Sequence, residues 1–130
     1  MPRSGVLRFL WIWGPLAAYV FLIFYLSSLS SIPWATWSPD YVSHFMEYCG
    51  LAILVARALN DGLDTPVPAR RLALAFLLTI TCAGLDETWQ WFTPDRFADY
   101  RDVLSDAAGS AVGLATLHLA RGLLARVGIL

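Results

Sequence analysis

The sequence predicts an all-α membrane protein, an antiparallel bundle of four transmembrane helices with both termini in the cytoplasm. Three observations support this fold class. Charged residues make up 15% of the 130-residue chain, against about a quarter of a soluble domain. The segment from Phe9 to Pro39 contains no charge. Four apolar runs each approach the roughly 20 residues that a helix needs to cross a bilayer. A single domain over 1–130 follows, with helices over about 9–29, 42–59, 70–92 and 101–125.

The first apolar run is FLWIWGPLAAYVFLIFYL, from Phe9 to Leu26, and Arg3 and Arg8 precede it. A signal peptide is the competing interpretation, but its apolar core usually has about 7–15 residues. The longer run therefore favours a retained span. Pro15 lies one turn inside it, where neighbouring helices can tolerate a kink.

The second helix follows a loop, 27–41, in which Trp34 and Trp37 fit the aromatic belt of a membrane interface. Pro39 and Asp40 form a helix-start signal, and the span continues to Leu59. Its first turns carry polar residues three and four positions apart, which share one helical face: Asp40, His44, Glu47 and Tyr48.

The third helix begins near Arg70, after a polar connection with breakers such as Gly62, and it ends before Pro94. A helix with this start is still close to the membrane boundary when it reaches Asp86 and Glu87. Ionisable groups at that depth are costly, so they mark a functional site or a paired polar core. The fourth helix begins around Tyr100 to Val103 and ends near 121–126.

Charge placement predicts the orientation. Seven of the nine arginines fall on one side of the four spans: Arg3, Arg8, Arg57, Arg70, Arg71, Arg121 and Arg126. The positive-inside rule places these seven in the cytoplasm. Eight of the ten acids then fall on the outer side: Asp40, Glu47, Asp86, Glu87, Asp95, Asp99, Asp102 and Asp106.

A bundle of this order brings the start of the second helix, the end of the third and the start of the fourth to one end. The candidate ligand-binding residues at this end are Asp40, His44, Glu47, Tyr48, Asp86, Glu87, Gln90, Arg96, Arg101, Asp102 and Asp106. Asp102 and Asp106 share a helical stripe with Gly109 and Gly113, whose G-x-x-x-G spacing predicts close helix packing. The acids of the fourth helix should therefore point at the same neighbour as the glycines.

Two interpretations of this end depend on arginine. In the first, Arg96 and Arg101 neutralise Asp86, Asp102 and their neighbours, and the network only stabilises the bundle end. In the second, the two arginines bind an anionic headgroup, phosphate or carboxylate, for which the planar guanidinium is well suited.

Two further interpretations depend on His44. It could perform acid–base chemistry on such a ligand together with Asp86 or Glu87, since histidine titrates near neutral pH. Alternatively, His44, Asp40 and Glu87 or Asp86 could hold a metal, for which one histidine with scattered acids is a weak signal. The catalytic residues stay open, and no metal or other cofactor is predicted.

The other potentially reactive residues fit simpler roles. Cys49 and Cys82 lie in apolar runs without metal-binding spacing, so they are interpreted as packing residues. His118 lies in the opposite half of the fourth helix and is interpreted as a packing or snorkelling histidine and not as a ligand. The net charge of −1 argues against nucleic-acid binding.

Two segments resemble the VanZ-like family of small bacterial membrane proteins. DYVSHFMEYCGLAIL, from Asp40 to Leu54, is similar to the family pattern D-K-x-x-H-F-x-x-Y-x-x-L. DETWQWFTPDRFADYRDVLSDAAGSAVG, from Asp86 to Gly113, is similar to D-E-x-x-Q-x-F-x-P-x-R-x-x-x-x-x-D-x-x-x-N-x-x-G-x-x-x-G. The chain departs from the family where Tyr41 replaces a lysine and Asp106 replaces an asparagine.

The resemblance implies a multi-pass protein of the bacterial inner membrane with a role in the cell envelope. The family is named for a member linked to low-level resistance to the glycopeptide antibiotic teicoplanin. The expected ligand is an anionic envelope molecule, such as a lipid-linked wall precursor or a phospholipid headgroup. The alternatives are a membrane enzyme that acts on that headgroup and an assembly factor whose G-x-x-x-G face binds a partner. A homo-oligomer or another membrane protein is a possible partner.

Overall fold

Four long helices make up the protein in a computed structural model that describes residues 5–30, 40–97 and 99–126. They are α1 (Gly5–Ser27), α2 (Asp40–Leu59), α3 (Ala69–Trp91) and α4 (Tyr100–Arg126). Each is long and apolar enough to cross a membrane. The described residues contain no strand. The predicted all-α class with four membrane-spanning helices is therefore confirmed, and α1 begins four residues earlier than expected. Trp34 and Trp37 lie outside the described residues.

Local sequence explains where α2 and α3 begin and end. Asp40 supplies an acid in the first turn of α2, where it favours the positive end of the helix dipole. Pro68 precedes α3 with a φ of −69°, and proline needs no hydrogen-bond acceptor at a helix start. After Trp91 the chain turns through Pro94, which disfavours helical geometry in the preceding residue. Asp95 then adopts a φ of 62°, in the left-handed region that Asp tolerates better than most residues.

The helices alternate in direction along the chain. Arg8, near the start of α1, forms an ion pair with Asp61, just after the end of α2. His44, in the second turn of α2, contacts Asp106, in the second turn of α4. These contacts show that α1 and α2 are antiparallel, whereas α2 and α4 run parallel.

The parallel pair α2 and α4 forms the most extensive helix contact in the bundle. Glycine makes this approach possible, because a Cβ atom at Gly109 would overlap the carbonyl group of Phe45. A Cβ atom at Gly113 would lie 2.5 Å from the carbonyl oxygen of Cys49. The G-x-x-x-G stripe of α4 is therefore covered by α2 of the same chain.

The apolar core centres on α2. Tyr48, Leu51, Ala52 and Ala56 are almost completely buried there, and α1, α3 and α4 contribute the residues that surround them. In contrast, most side chains of α1 are exposed, and an apolar groove of about 710 Å³ runs along this helix between residues such as Trp13 and Phe21. An apolar exposed surface suits contact with lipid.

The end of the bundle away from His44 is held together by hydrogen bonds of Arg57 and Asn60. Arg57 donates from Nη1 to the carbonyl of Ile12 at 2.8 Å and from Nη2 to the carbonyl of Trp11 at 2.7 Å. Asn60 Nδ2 donates to the carbonyl of Thr65 at 3.1 Å, and Asn60 Oδ1 accepts from Arg71 Nη1 at 2.6 Å. These bonds connect α1, α2, the loop after α2 and the start of α3.

Candidate functional site

Seven polar side chains are buried together where α2 and α4 begin and α3 ends. We call them the buried polar cluster: His44, Tyr48, Asp86, Glu87, Gln90, Asp102 and Asp106. All seven were among the candidates predicted from the sequence. Four are carboxylates, and Asp86 is 1% exposed while Asp106 is fully buried. Such a concentration of ionisable groups inside an apolar bundle is costly and needs a specific role or specific partners.

Helical periodicity explains how the chain places these groups. On α3, the buried residues Ala75, Thr79, Ala83, Asp86 and Gln90 follow one another at intervals of three or four, so one stripe changes from small and apolar to polar. On α4, the acids precede the glycines on the stripe that faces α2. The small residues let the helices approach, and the polar residues therefore meet at the end of the same interface. As expected from the sequence, α3 stays helical past Gln90 with Asp86 inside the bundle.

His44 and Asp106 form the best-defined contact of the cluster. The Nδ1–H group of His44 donates to Asp106 Oδ1 at 3.1 Å between two buried side chains. This bond connects α2 to α4 and holds the orientation of the imidazole ring. A histidine oriented by a carboxylate leaves Nε2 as the ring nitrogen available to a ligand.

Asp86 and Gln90 connect α3 to α1. Gln90 Nε2 donates to Asp86 Oδ2 at 3.3 Å and lies 3.4 Å from Ser27 Oγ. Ser27 is the last residue of α1 and was not among the sequence candidates. Its position depends on how α1 packs against α3, a long-range contact for which the local sequence has no signal.

Glu87 is the member of the buried polar cluster that contacts the α3–α4 loop and a surface cleft. Its Oε2 accepts a hydrogen bond from the backbone N–H of Asp99 at 3.0 Å, which connects the α3–α4 loop to α3. Glu87 also lines a cleft of about 280 Å³ together with Thr88, Trp91 and Phe92. Glu87 is therefore the member of the cluster that meets this surface cleft.

Arg96 is the cation at the edge of the cluster. Its side chain is 15% exposed, and Nη1 lies 3.5 Å from Asp40 Oδ2, whose own side chain is 58% exposed. Arg101, the second predicted arginine, is exposed in the first turn of α4, and Glu47 is partly buried on α2. The structure thus brings Arg96 to the cluster and leaves the side chains of Asp40 and Arg101 at the surface.

Several buried atoms of this region lack a hydrogen-bond partner among the described residues. They are Asp86 Oδ1, Glu87 Oε1, Asp106 Oδ2 and Arg96 Nε. Buried polar atoms in folded proteins are almost always paired, so each unpaired atom calls for an explanation. The unpaired atoms of this region lie together at the end of the bundle that holds the cluster.

One subset has the spacing of metal ligands. His44, Glu87 and Asp102 each offer one ligand atom, and these three atoms lie within 4.8 Å of one another. The metal site considered from the sequence consisted of His44, Asp40 and Glu87 or Asp86 instead. Asp40 lies at the surface beside Arg96, and Asp102 occupies the interior position because it lies one turn before Asp106 on the buried stripe.

The fold and the site together define a multi-pass membrane protein with a buried acidic cluster at one end of its helical bundle. The model of the VanZ/LLP1 family matches residues 7–121, which is most of the chain. The protein therefore belongs to the VanZ/LLP1 family. No curated protein and no solved structure matches the chain.

Proposed function

We propose that the protein binds the headgroup of a phosphate-bearing envelope lipid, either a phospholipid or a lipid-linked wall precursor, at the outer face of the bacterial inner membrane. In this proposal the headgroup enters the end of the bundle that holds the buried polar cluster. Arg96 contacts its phosphate, and the carboxylates accept hydrogen bonds from its hydroxyl or ammonium groups.

The observation that carries the proposal is the set of unpaired buried atoms around the cluster. A purely structural network would be expected to satisfy its members, because each unpaired buried group costs roughly 1–3 kcal/mol. The opposite end of the bundle provides a comparison, since Arg57 and Asn60 there bond to backbone and side-chain partners. Arg121 is an exception in that half, since its Nε and Nη2 have no partner in the part of the chain that the structure describes.

The chemistry of the unpaired atoms supports a headgroup that carries both donors and a phosphate. Within the described part of the chain, Asp86, Glu87 and Asp106 each have one carboxylate oxygen without a partner, and such an oxygen accepts hydrogen bonds when ionised. Arg96 Nε is a donor without a partner among the same residues, and a guanidinium can bind phosphate through two parallel hydrogen bonds. A simple anion without donor groups would face mostly carboxylates and would be repelled.

The arrangement of the surface supports access from the lipid phase. Trp91 and Phe92, which line the cleft beside Glu87, are 73% and 78% exposed. Aromatic side chains at this level suit the membrane interface, where headgroups lie. The arginine distribution supports an outer location for this end, and the family resemblance adds a change in teicoplanin susceptibility as the expected cellular effect.

Enzymatic action on the headgroup is a second candidate, which the contact between His44 and Asp106 favours. A histidine oriented by a carboxylate is the usual arrangement of a general base. Glu87 lies within ligand-atom distance of His44 and could handle the second proton. Turnover of a defined phospholipid by purified protein, lost in His44→Gln, would establish catalysis.

Lipid binding by purified protein tests the headgroup proposal. Native mass spectrometry would compare phosphatidylglycerol and phosphatidylethanolamine, which carry donors, with phosphatidylcholine, which does not. We expect the first two to bind more tightly. Arg96→Lys should weaken their binding about tenfold or more, because a charged hydrogen bond contributes roughly 1.5–3 kcal/mol and an ammonium cannot form the paired contact.

The matched control is Arg70→Lys, an exposed arginine in the first turns of α3 at the opposite end, which should leave lipid binding unchanged. Equal affinity for the three lipids, or Arg96→Lys protein that binds like the wild type, would contradict the headgroup proposal. The structural interpretation, in which Arg96 only balances the acids, predicts that second result.

A further inference from the structure

We infer that His44, Glu87 and Asp102 form a binding site for a divalent transition-metal ion, Zn²⁺ or Mn²⁺. The inference concerns the ion alone and does not depend on the proposed headgroup. It follows from the geometry of three side chains on three helices, from the hydrogen bond behind His44 and from an unpaired oxygen of Glu87.

The three ligand atoms already lie close together. Each pair is within 4.8 Å, whereas ligands about 2.1 Å from a tetrahedral metal are roughly 3.4 Å apart. Rotation of the carboxylates would close this gap without movement of the helices. An imidazole with two carboxylates suits Zn²⁺ and Mn²⁺, whereas Mg²⁺ prefers oxygen ligands and retains its water.

Asp106 accepts a hydrogen bond from the ring nitrogen of His44 that would not bind the metal. A metal-bound histidine usually donates its other ring N–H to a carboxylate, which orients the ring and makes the free nitrogen a better ligand. His44 Nδ1–H donates to the fully buried Asp106 in this way. The contact therefore gives Asp106 a role as a positioning residue for His44.

Glu87 is the independent indication of a missing ligand. The side chain is more than nine-tenths buried. Asp99 N–H holds its Oε2, while its Oε1 is buried without a partner among the described residues. Since one of its oxygens lies within reach of His44 and Asp102, a cation between the three groups would pair with the carboxylate. It would also offset the repulsion between the neighbouring acids.

Three protein ligands would leave part of the coordination shell open. Closed shells of four ligands are typical of structural zinc, whereas three ligands and an open position are typical of sites that bind an exogenous group. Of the three ligands, Glu87 also lines the surface cleft. Should the proposed headgroup bind, a phosphate or hydroxyl oxygen could occupy the open position.

Metal binding by the purified full chain tests the inference. The protein would carry an affinity tag without histidine, be treated with chelator, and then be titrated with Zn²⁺, Mn²⁺ or Mg²⁺ alone. Calorimetry and melting temperature would be followed. We expect one ion per chain, tighter binding of Zn²⁺ and Mn²⁺ than of Mg²⁺, and a higher melting temperature with the bound ion.

Single substitutions test whether the ion binds at His44, Glu87 and Asp102. Asp106→Asn should weaken binding about 10- to 100-fold, the usual effect of losing such a partner, and His44→Gln and Glu87→Gln should weaken it more. His118→Gln is the matched control, because it removes the other histidine of the chain from an exposed position on α4. It should bind like the wild type.

Absence of stoichiometric binding by the wild type would overturn the inference, whatever the variants do. Equal affinity of the wild type and of Glu87→Gln for the ion would also overturn the inference. Gln has the same size as Glu, and the melting temperature of the metal-free variant shows separately whether it folds. Binding lost in His118→Gln but retained in His44→Gln would identify an unrelated surface site. The two proposals can fail separately. Lipid binding that persists in the presence of chelator would support the headgroup proposal without the metal, whereas the titration of the wild-type protein alone decides whether the metal site exists.

Discussion

Asp86 is a buried acid whose hydrogen bonds do not offset the cost of its burial, which distinguishes the buried polar cluster from an apolar core. It is 1% exposed inside a membrane-spanning helix, and its hydrogen-bond donors among the described side chains are the neutral groups of Gln90 and Ser27. Its Oδ1 has no partner in hydrogen-bonding geometry among the described residues. An ionised carboxylate in a membrane-spanning segment costs roughly 2.5–3.5 kcal/mol or more, which two neutral hydrogen bonds of about 1 kcal/mol each do not offset.

Replacement of Asp86 by Asn separates function from stability. We expect Asp86→Asn to melt at the wild-type temperature or above it, because Asn can still accept from Gln90 and carries no charge. Binding of phosphatidylglycerol should fall, since a neutral amide oxygen is a weaker acceptor than a carboxylate. Functional sites commonly retain groups that lower stability in this way. A large drop in melting temperature, with lipid binding unchanged, would instead assign Asp86 to the structure.

The sequence could predict that acids gather at this end of the bundle, but not that Asp40 lies at the surface and Glu47 is only partly buried, and it predicted only part of the pairing. Spacing by three and four was sufficient to place Asp86 with Gln90 and Asp102 with Asp106, because a helix repeats every 3.6 residues. The contacts of Ser27 and of the Asp99 backbone could not be predicted, since they depend on the packing of α1 and on the path of a loop. The sequence grouped Arg101 with Arg96, either as a counter-charge for the acids or as a ligand of an anionic headgroup, whereas the structure places the Arg101 side chain at the surface.

The contact between α2 and α4 is the central feature at the scale of the elements. The spacing of Gly109 and Gly113 predicted a close helix contact, but it could not identify the neighbour. The antiparallel order of successive helices makes α2 and α4 parallel, and the glycines place α4 directly on the α2 backbone at Phe45 and Cys49. This contact brings His44 to Asp106, so a packing stripe positions the polar cluster.

Substitution of Gly109 by Ala tests this contact. The added methyl group would overlap the backbone carbonyl of Phe45, and overpacking of this kind costs roughly 1–3 kcal/mol. We expect a lower melting temperature and a weaker ligand site. Gly122→Ala is the matched control on the same helix, because nothing lies within 4 Å of the added Cβ; it should stabilise by about 1 kcal/mol through helix propensity. Equal effects of the two variants would show that α4 does not depend on this close approach.

A helix of another protein could not bind to the glycine stripe of α4. The G-x-x-x-G stripe, which the sequence offered as a possible partner surface, is covered by α2 of the same chain. The exposed apolar side chains of α1, among them Phe21 and Trp11, are left as a surface of the bundle that faces the surrounding lipid.

The molecule as a whole is strongly polarised along the bundle axis. Among the described residues, six arginines lie in the half that contains the start of α1, and two lie in the half that contains the cluster. Eight of the ten acids lie in the cluster half. This distribution could be predicted from the sequence alone, since it depends only on the number of spans and their order.

An envelope function requires the cluster half to face away from the cytoplasm, and cysteine labelling in intact cells tests that most directly. In a Cys49→Ala, Cys82→Ala background, Phe97→Cys reports on the α3–α4 loop and Thr65→Cys on the α2–α3 loop, both at exposed positions. Since arginine-rich loops stay in the cytoplasm, a membrane-impermeant maleimide should label position 97 in intact cells and position 65 only after permeabilisation. Labelling of position 65 alone in intact cells would place the cluster on the cytoplasmic side and contradict the proposed function.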